Sequence, residues 1–306
     1  MADLILNTYG DNSRKTDVVL NAIEILTAKE TQIFNMLGKT TAIDTIHSYL
    51  TDTLRTAASA AVSESADYTI VASSTPSRLT NIVQKVNITY AVTDMQSDIE
   101  HFHGQNELAR QTQKALMDWG NAAEFDLVRS TLVSGVSGTT MKMSGIIEAT
   151  SKSTNHTSHT SGTVWSASIL DGLMKGNWNN SNGDVATDLF LGSALRAQTD
   201  NFTQKSNVVV NGGGISTIVR TVSTYTTAFG TLNIHTHRYL SITGTDATGR
   251  ILALRPDKLK VAMLRTPYVD MNLARNGGYT KRAIDGSFTL EVRNQDSNFY
   301  ADGFLL

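Results

Sequence analysis

From Ala109 to Leu127, small and apolar residues recur at three- and four-residue spacing: Ala109, Thr112, Leu116, Gly120, Ala123 and Leu127. Glu107, Arg110, Lys114, Asp118 and Asn121 trace the opposite polar stripe. That period belongs to an α-helix with one face against a core. Met117, Trp119, Phe125 and Val128 widen the apolar arc, so more than one side of the helix is expected to be covered. The pattern predicts a helix over 105–133, ended by Gly135 and Gly138, with Ser97 and Glu100 as a capping box interrupted by Gly104. At about 1.5 Å per residue it spans roughly 40 Å. A rod of that length is long for a compact domain, so the rest of the chain has to be arranged along it.

Two segments before the helix lack a core of their own. In the first, residues 1–38, Val18, Val19, Ala22, Ile23, Leu26 and Ala28 form a loose helical stripe behind a capping Asp17. Ile33, Phe34, Met36 and Leu37 then offer an apolar staple to another surface. The second, residues 39–96, reads as a two-stranded excursion. Ile82, Val86, Ile88, Tyr90 and Val92 alternate with Lys85, Asn87 and Thr89 in its second limb, while the first limb, Thr41 to Leu54, alternates less well. The tract between them, Arg55 to Thr80, is small and polar. A hairpin of this kind is marginal by itself and is expected to lie on something else.

After the helix, 134–164 reads as irregular. Nine of the fourteen residues from Thr150 to Thr163 are Ser or Thr, which predicts an exposed loop, either a decoration site or a tolerated insertion. Helix and strand then alternate: a helix from Ser168 to Trp178, a strand from Asp188 to Leu191 and a helix from Ser193 to Phe202. Gly212-Gly213-Gly214 reads as a turn. Strands are expected over Ile215–Tyr225, Thr231–His237 and Arg250–Leu254, and a last alternating strand carries Phe288, Leu290 and Val292. The class is therefore α+β, without internal repeats.

Little in the sequence points to chemistry. There is no cysteine, which excludes disulfides and thiolate nucleophiles. Lys and Arg number 26 against 28 Asp and Glu, so there is no basic excess of the kind that grips nucleic acid; near-neutrality also permits dense self-association. No apolar run reaches the roughly 20 residues of a membrane span, and Met1-Ala2-Asp3-Leu4 does not open a secretory signal. His235 and His237 share a strand face, as two ligands of a metal would. No carboxylate sits at ligand spacing, and they read as solvent or interface histidines; His101 and His103 do not share a face. The triple glycine lacks the Gly-Lys-Ser/Thr of a phosphate loop, and no nucleophile elbow or zinc-protease motif occurs. We expect neither enzyme activity, nor cofactor, nor metal. Arg275, Lys281 and Arg282 flank an Asn276-Gly277-Gly278 turn, a basic tip that suits acidic groups or plain solvent.

Several stretches carry a resemblance. Phe34-Asn35-Met36-Leu37-Gly38-Lys39 stands at the entry to the hairpin, and Thr51-Asp52-Thr53-Leu54 and Arg78-x-x-Asn81-x-x-Gln84 stand on its limbs. Glu107-Leu108-Ala109-Arg110-Gln111 opens the long helix, Tyr225-x3-Phe229-Gly230-Thr231 forms a strand pair, and Phe288-Thr289-Leu290-Glu291-Val292-Arg293-Asn294 closes the pattern. In this order the chain resembles, over nearly its whole length, the major capsid proteins of tailed bacteriophages with the Hong Kong 97-type fold. The resemblance implies an N-terminal arm (1–38), an extended β-hairpin loop (39–96), a peripheral domain with the spine helix (97–164), an α/β axial domain (165–265) and return strands to the peripheral domain (266–306).

It also implies a structural subunit of an icosahedral head, self-assembling into hexamers and pentamers around double-stranded DNA contacted non-specifically. The subunit would act in the virion capsid, after assembly in the host bacterial cytoplasm. Portal, decoration and scaffolding proteins are the implied partners; no charged helical extension precedes the arm, so any scaffold is expected to be separate. Phe34, Met36 and Leu37 in the arm, and Tyr49, Leu54, Ile82 and Val86 on the hairpin, are the expected inter-subunit residues, with intrachain core as their alternative. An encapsulin-like compartment of the same fold is the nearest rival. An extracellular adhesin or fibre, suggested by the Ser, Thr, Asn and Gly content, and an α/β enzyme on 165–265 are weaker ones.

Overall fold

The computed structural model describes residues 31–55, 57–67, 70, 73–99, 106–135, 139–202, 223–240, 249–274 and 277–305. The stripe expected at 18–28, His101, His103, the triple glycine and most of the strand expected from Ile215 lie outside the described residues.

The long helix is α3, Glu107–Arg129, which follows the one-turn α2 (Asp94–Asp98), and Asn106 caps it by accepting a hydrogen bond from the Leu108 N–H at 2.9 Å. Its buried row is Ala115, Trp119, Ala123 and Leu127, with Glu124 and Val128 beside it. This corrects the expected face, since Ala109 and Leu116 are exposed. Trp119 decides the rotation. Its indole N–H donates to the Val86 carbonyl at 3.1 Å, and its ring fills the space that a Cβ on Gly286 would occupy, 2.6 Å away. The helix ends before Gly135. Gly145 packs against the Ser130 backbone so closely that a Cβ would stand 2.8 Å from the Ser130 carbonyl oxygen, and the chain turns there.

α3 lies on a four-stranded sheet. Its strands are β1 (Gly38–Thr41), β10 (Leu259–Asp270), β11 (Tyr279–Val292) and β4 (Gln84–Thr93), in that order across the sheet. β1 runs parallel to β10, and the other two pairings are antiparallel. Phe288, Leu290 and Val292 alternate as expected, yet Thr289 and Glu291 between them are buried too. Both faces of β11 are covered at this end, so the strand has no polar face in water.

The second sheet has six strands: β5 (His156–Thr163), β12 (Phe299–Phe304), β9 (Gly249–Leu254), β6 (Asp188–Leu191), β8 (Gly230–Thr236) and β7 (Thr224–Thr227), in that order. The strand period of two divides its side chains between two cores. Leu189, Leu191, Ile251, Ala253 and Phe299 pack with Leu170 and Met174 of α5 (Ala167–Asn180) and Leu195 of α6 (Ser193–Asp200). Phe190, Leu252, Leu254 and Tyr300 point the other way and join the core beneath α3. The helices and strands expected between 165 and 202 are thus in place, to within a few residues.

The Ser/Thr-rich tract is not a loop. Its first residues end a short helix, α4 (Ile146–Ser151), and from His156 it forms β5, parallel to β12. Thr is polar in composition but β-branched in shape, and extended pairing suits it. The anchor is Asp296, whose Oδ1 accepts from the Ser153 hydroxyl, the Thr154 N–H and the Thr154 hydroxyl at 2.8–3.2 Å.

Candidate assembly surface

The arm enters through α1 (Gln32–Met36), a single helical turn. One turn forms too few hydrogen bonds to hold itself, and here α3 supplies the missing ones. The Glu124 carboxylate accepts from the backbone N–H groups of Ile33 and Phe34, both at 2.7 Å. His237, just past β8, stands 2.9 Å from the same carboxylate, and neither side chain reaches solvent. His235 pairs instead with Asp188 at 3.0 Å and with Gln32 at 3.2 Å. The two rings therefore serve different carboxylates, and His237 is a core residue, not the surface histidine expected. Among the described residues no three His, Asp or Glu side chains are grouped to hold a metal.

Phe34 stands edge-on to Trp119 and Phe288, with ring centroids 6.1 and 5.7 Å away. Phe34, Leu37 and Val86 pack in the chain's own core; Met36, Tyr49 and Ile82 are half-buried, and Leu54 is 98% exposed.

The hairpin itself is β2 (Ile46–Thr51) paired antiparallel with β3 (Ser77–Ile82). The single limb expected through Val92 is two strands. Val83 breaks it: its N–H donates to the Thr45 carbonyl at 2.8 Å, and its side chain packs with Ala42 and Ala262. Val86 to Val92 then belongs to β4 in the body.

Register places His47 opposite Asn81 and Tyr49 opposite Leu79 on one face, and Ile46 opposite Ile82 and Leu50 opposite Arg78 on the other. The first face docks at its root on the chain's own β11. His47 Nε2 lies 3.3 Å from Glu291 Oε2, the Val292 N–H donates to the Tyr49 hydroxyl at 3.2 Å, and the Asn81 amide donates to the Leu290 carbonyl at 2.8 Å. Burial raises the Tyr49 hydroxyl pKa above its ordinary value; the Val292 N–H opposes this and the Glu291 charge adds to it.

The second face is more open. Ile82 and Ser48 are half-buried there, but Ile46 is 55% exposed, Leu50 69% and the adjoining Ile43 93%. Beyond the root, every described residue from Asp52 to Thr80 is exposed, Leu54, Val62 and Ile70 among them. Sequence reasoning missed Ile43, Ile46 and Leu50. Their signal was the i, i+4 pair on one strand face, hidden by the irregular pattern of the first limb. Lys281 and Arg282 lie within β11, opposite Ala91 and Tyr90 of β4, not at a loop tip, and Arg275 is outside the described residues.

A long helix, two sheets and an exposed hairpin are thus on one chain, and the family described as SU10 major capsid protein matches residues 6–303. The chain belongs to this family. As a major capsid protein it is the structural subunit of a phage head, with the virion capsid as its place.

Solved structures repeat the architecture. The holo-SrpI encapsulin complex from Synechococcus elongatus PCC 7942 is similar with a TM-score of 0.61 and 12% identity, over 92% of this chain and 90% of that one. The capsid of Myoviridae phage XM1 gives 0.61 and 11%, over 94% and 96%. A chain from Mycobacterium phage Bobi gives 0.64 and 9%, over 95% and 96%. At such identities the likeness concerns the fold alone, the Hong Kong 97-type capsid fold. No curated protein matches this capsid protein. Among its described residues no helix is long and apolar enough to cross a membrane.

Proposed function

We propose that this major capsid protein closes into hexamers and pentamers of an icosahedral head around double-stranded DNA, each hairpin lying across a sister subunit. The exposure of every described residue from Asp52 to Thr80, with apolar side chains among them, carries this reading. A two-stranded ribbon without a third layer is marginal in water, and a second copy supplies that layer. Burial is worth roughly 25 cal/mol per Å2 of apolar surface, and ordering and association oppose much of it. Each contact stays weak while a closed ring of head-to-tail contacts is collectively stable. The family match favours the shell over a fibre or an enzyme on 165–265. Assembly in the host cytoplasm, portal, decoration and scaffolding proteins, and non-specific contact with packaged DNA complete the proposal.

Deleting residues 55–80 leaves a soluble, folded subunit that forms no shells in negative-stain micrographs. Leu50→Asp, which changes one exposed side chain, also lowers shell yield by at least tenfold while the circular dichroism of the subunit is unchanged. Normal particles from either variant would refute the reading. The encapsulin likeness supports one rival, a shell of the same fold around protein cargo. Purified particles with an absorbance ratio typical of DNA decide for the head.

A further inference from the structure

We propose that His47, Tyr49 and Asn81 are positioning residues that set the angle at which the hairpin leaves the subunit, and so decide which face meets the sister copy. This rests on the assembly reading above. The hairpin cannot fix its own direction, because two strands have no third layer to brace them. Its hydrogen bonds to β11 lie on one face, at the root. His47, Tyr49 and Asn81 share that face and meet three consecutive residues at the end of β11, Leu290 to Val292. Glu291 stands at the centre, almost fully buried. One carboxylate oxygen faces the His47 ring and the other accepts the Arg293 Nε–H at 2.6 Å. A carboxylate oxygen accepts, so this contact is made by the His47 tautomer with its hydrogen on Nε2.

Asn81 is buried and saturated. Its amide N–H groups donate to the Leu290 and Ser144 carbonyls at 2.8 and 3.1 Å, and its oxygen accepts the Ser144 N–H at 3.0 Å. It therefore ties the hairpin to the strand and to the loop before α4 together. None of these bonds is needed to build either strand, since the β2–β3 ladder is complete without them. What they determine is orientation. With this face fastened to the subunit's own body, Ile43, Ile46 and Leu50 are the side chains left to a second copy.

Leverage makes the root decisive. Six residues at about 3.3 Å each span roughly 20 Å, so a tilt of about 20° at the root carries the far end of the strands by roughly 7 Å. Apolar side chains lose contact beyond about 4.5 Å. A loosened root thus leaves the apolar face intact but aims it at the wrong place, and shell curvature fails before subunit folding does.

The test is the full-length double variant His47→Ala with Tyr49→Phe, assembled beside wild type. Expected are a wild-type circular dichroism spectrum, association into oligomers by size-exclusion chromatography, and at least a tenfold fall in closed particles of wild-type diameter, replaced by open or irregular ones. His47→Gln with Tyr49→Phe, whose amide N–H still reaches Glu291, restores most closed particles. Wild-type yield and diameter in the alanine double variant overturns the proposal. So does loss of sheet signal, which makes these residues ordinary core, and so does failure of the glutamine version to rescue. Leu50→Asp on the free face separates the two levels: normal shells there sink the assembly reading itself, whereas normal shells only in the root variant sink the clamp alone.

Discussion

Glu124→Ala lowers the stability of the dissociated subunit by about 3–5 kcal/mol, the scale of leaving several buried donors without an acceptor at roughly 1–3 kcal/mol each. The carboxylate is out of solvent and has three partners: the Ile33 and Phe34 N–H groups and the His237 ring. Removing it strands all three. The His237 Nδ1 is already buried without a partner, so the whole ring would then be unsatisfied. Among the described residues the first turn of α1 has no other acceptor for those two N–H groups, and Phe34 depends on that turn to reach Trp119 and Phe288. Glu124→Gln separates charge from shape. It keeps one accepting oxygen and turns an amide N–H2 toward a donor, and the expected cost is about 1–3 kcal/mol. Urea unfolding followed by circular dichroism measures both, the shift appearing in the midpoint with the slope unchanged. An alanine variant with the wild-type midpoint, or a glutamine variant worse than alanine, would sink this account.

That clasp was invisible in the sequence, and the reason is general. A glutamate on an amphipathic helix reads as a solvated charge, and only the arrival of α1 and His237 from 90 and 113 residues away makes it an interior group. The helix itself was legible because its period is long and regular. Its buried face was not, because two adjacent rows, Ala109–Leu116–Gly120 and Ala115–Trp119–Ala123, are both apolar, and the partner chooses between them. One alternation likewise ran from Ile82 through Val92 although Val83 splits it, since a period of two survives a change of sheet when the chain stays extended. The bareness of the 55–80 tract was legible, because a shortage of large apolar residues is a local property. The clamp at His47, Tyr49 and Asn81 was not, because its partners lie more than 200 residues away in β11.

Gly303→Ala loosens the edge of the six-stranded sheet and costs about 2–5 kcal/mol, from two separate sources. The first is conformational. Gly303 has φ of +89°, where a Cβ adds roughly 1–2 kcal/mol of strain. The second is steric. A Cβ built there lies 2.0 Å from the His159 carbonyl oxygen and 2.8 Å from its carbon, backbone atoms that no rotamer change can move. Overpacking of this kind typically adds 1–3 kcal/mol. The only relief is to part β5 from β12, at the point where their register already shifts between Asp302 and Phe304. Parting them also opens the packing of Phe304 against Trp165 and His159, at 5.0 and 4.7 Å between ring centroids. β12 would then present an unpaired edge to other chains. The expected result is a lowered urea midpoint, faster proteolysis within 152–163, and disordered aggregates in place of shells. Gly303→Val should exceed the alanine effect, because a branched side chain fits that backbone conformation worse still. A wild-type midpoint together with wild-type protease resistance in the alanine variant would mean that β5 is not held against β12 as described, and the Ser/Thr-rich tract would revert to the loop its composition suggests.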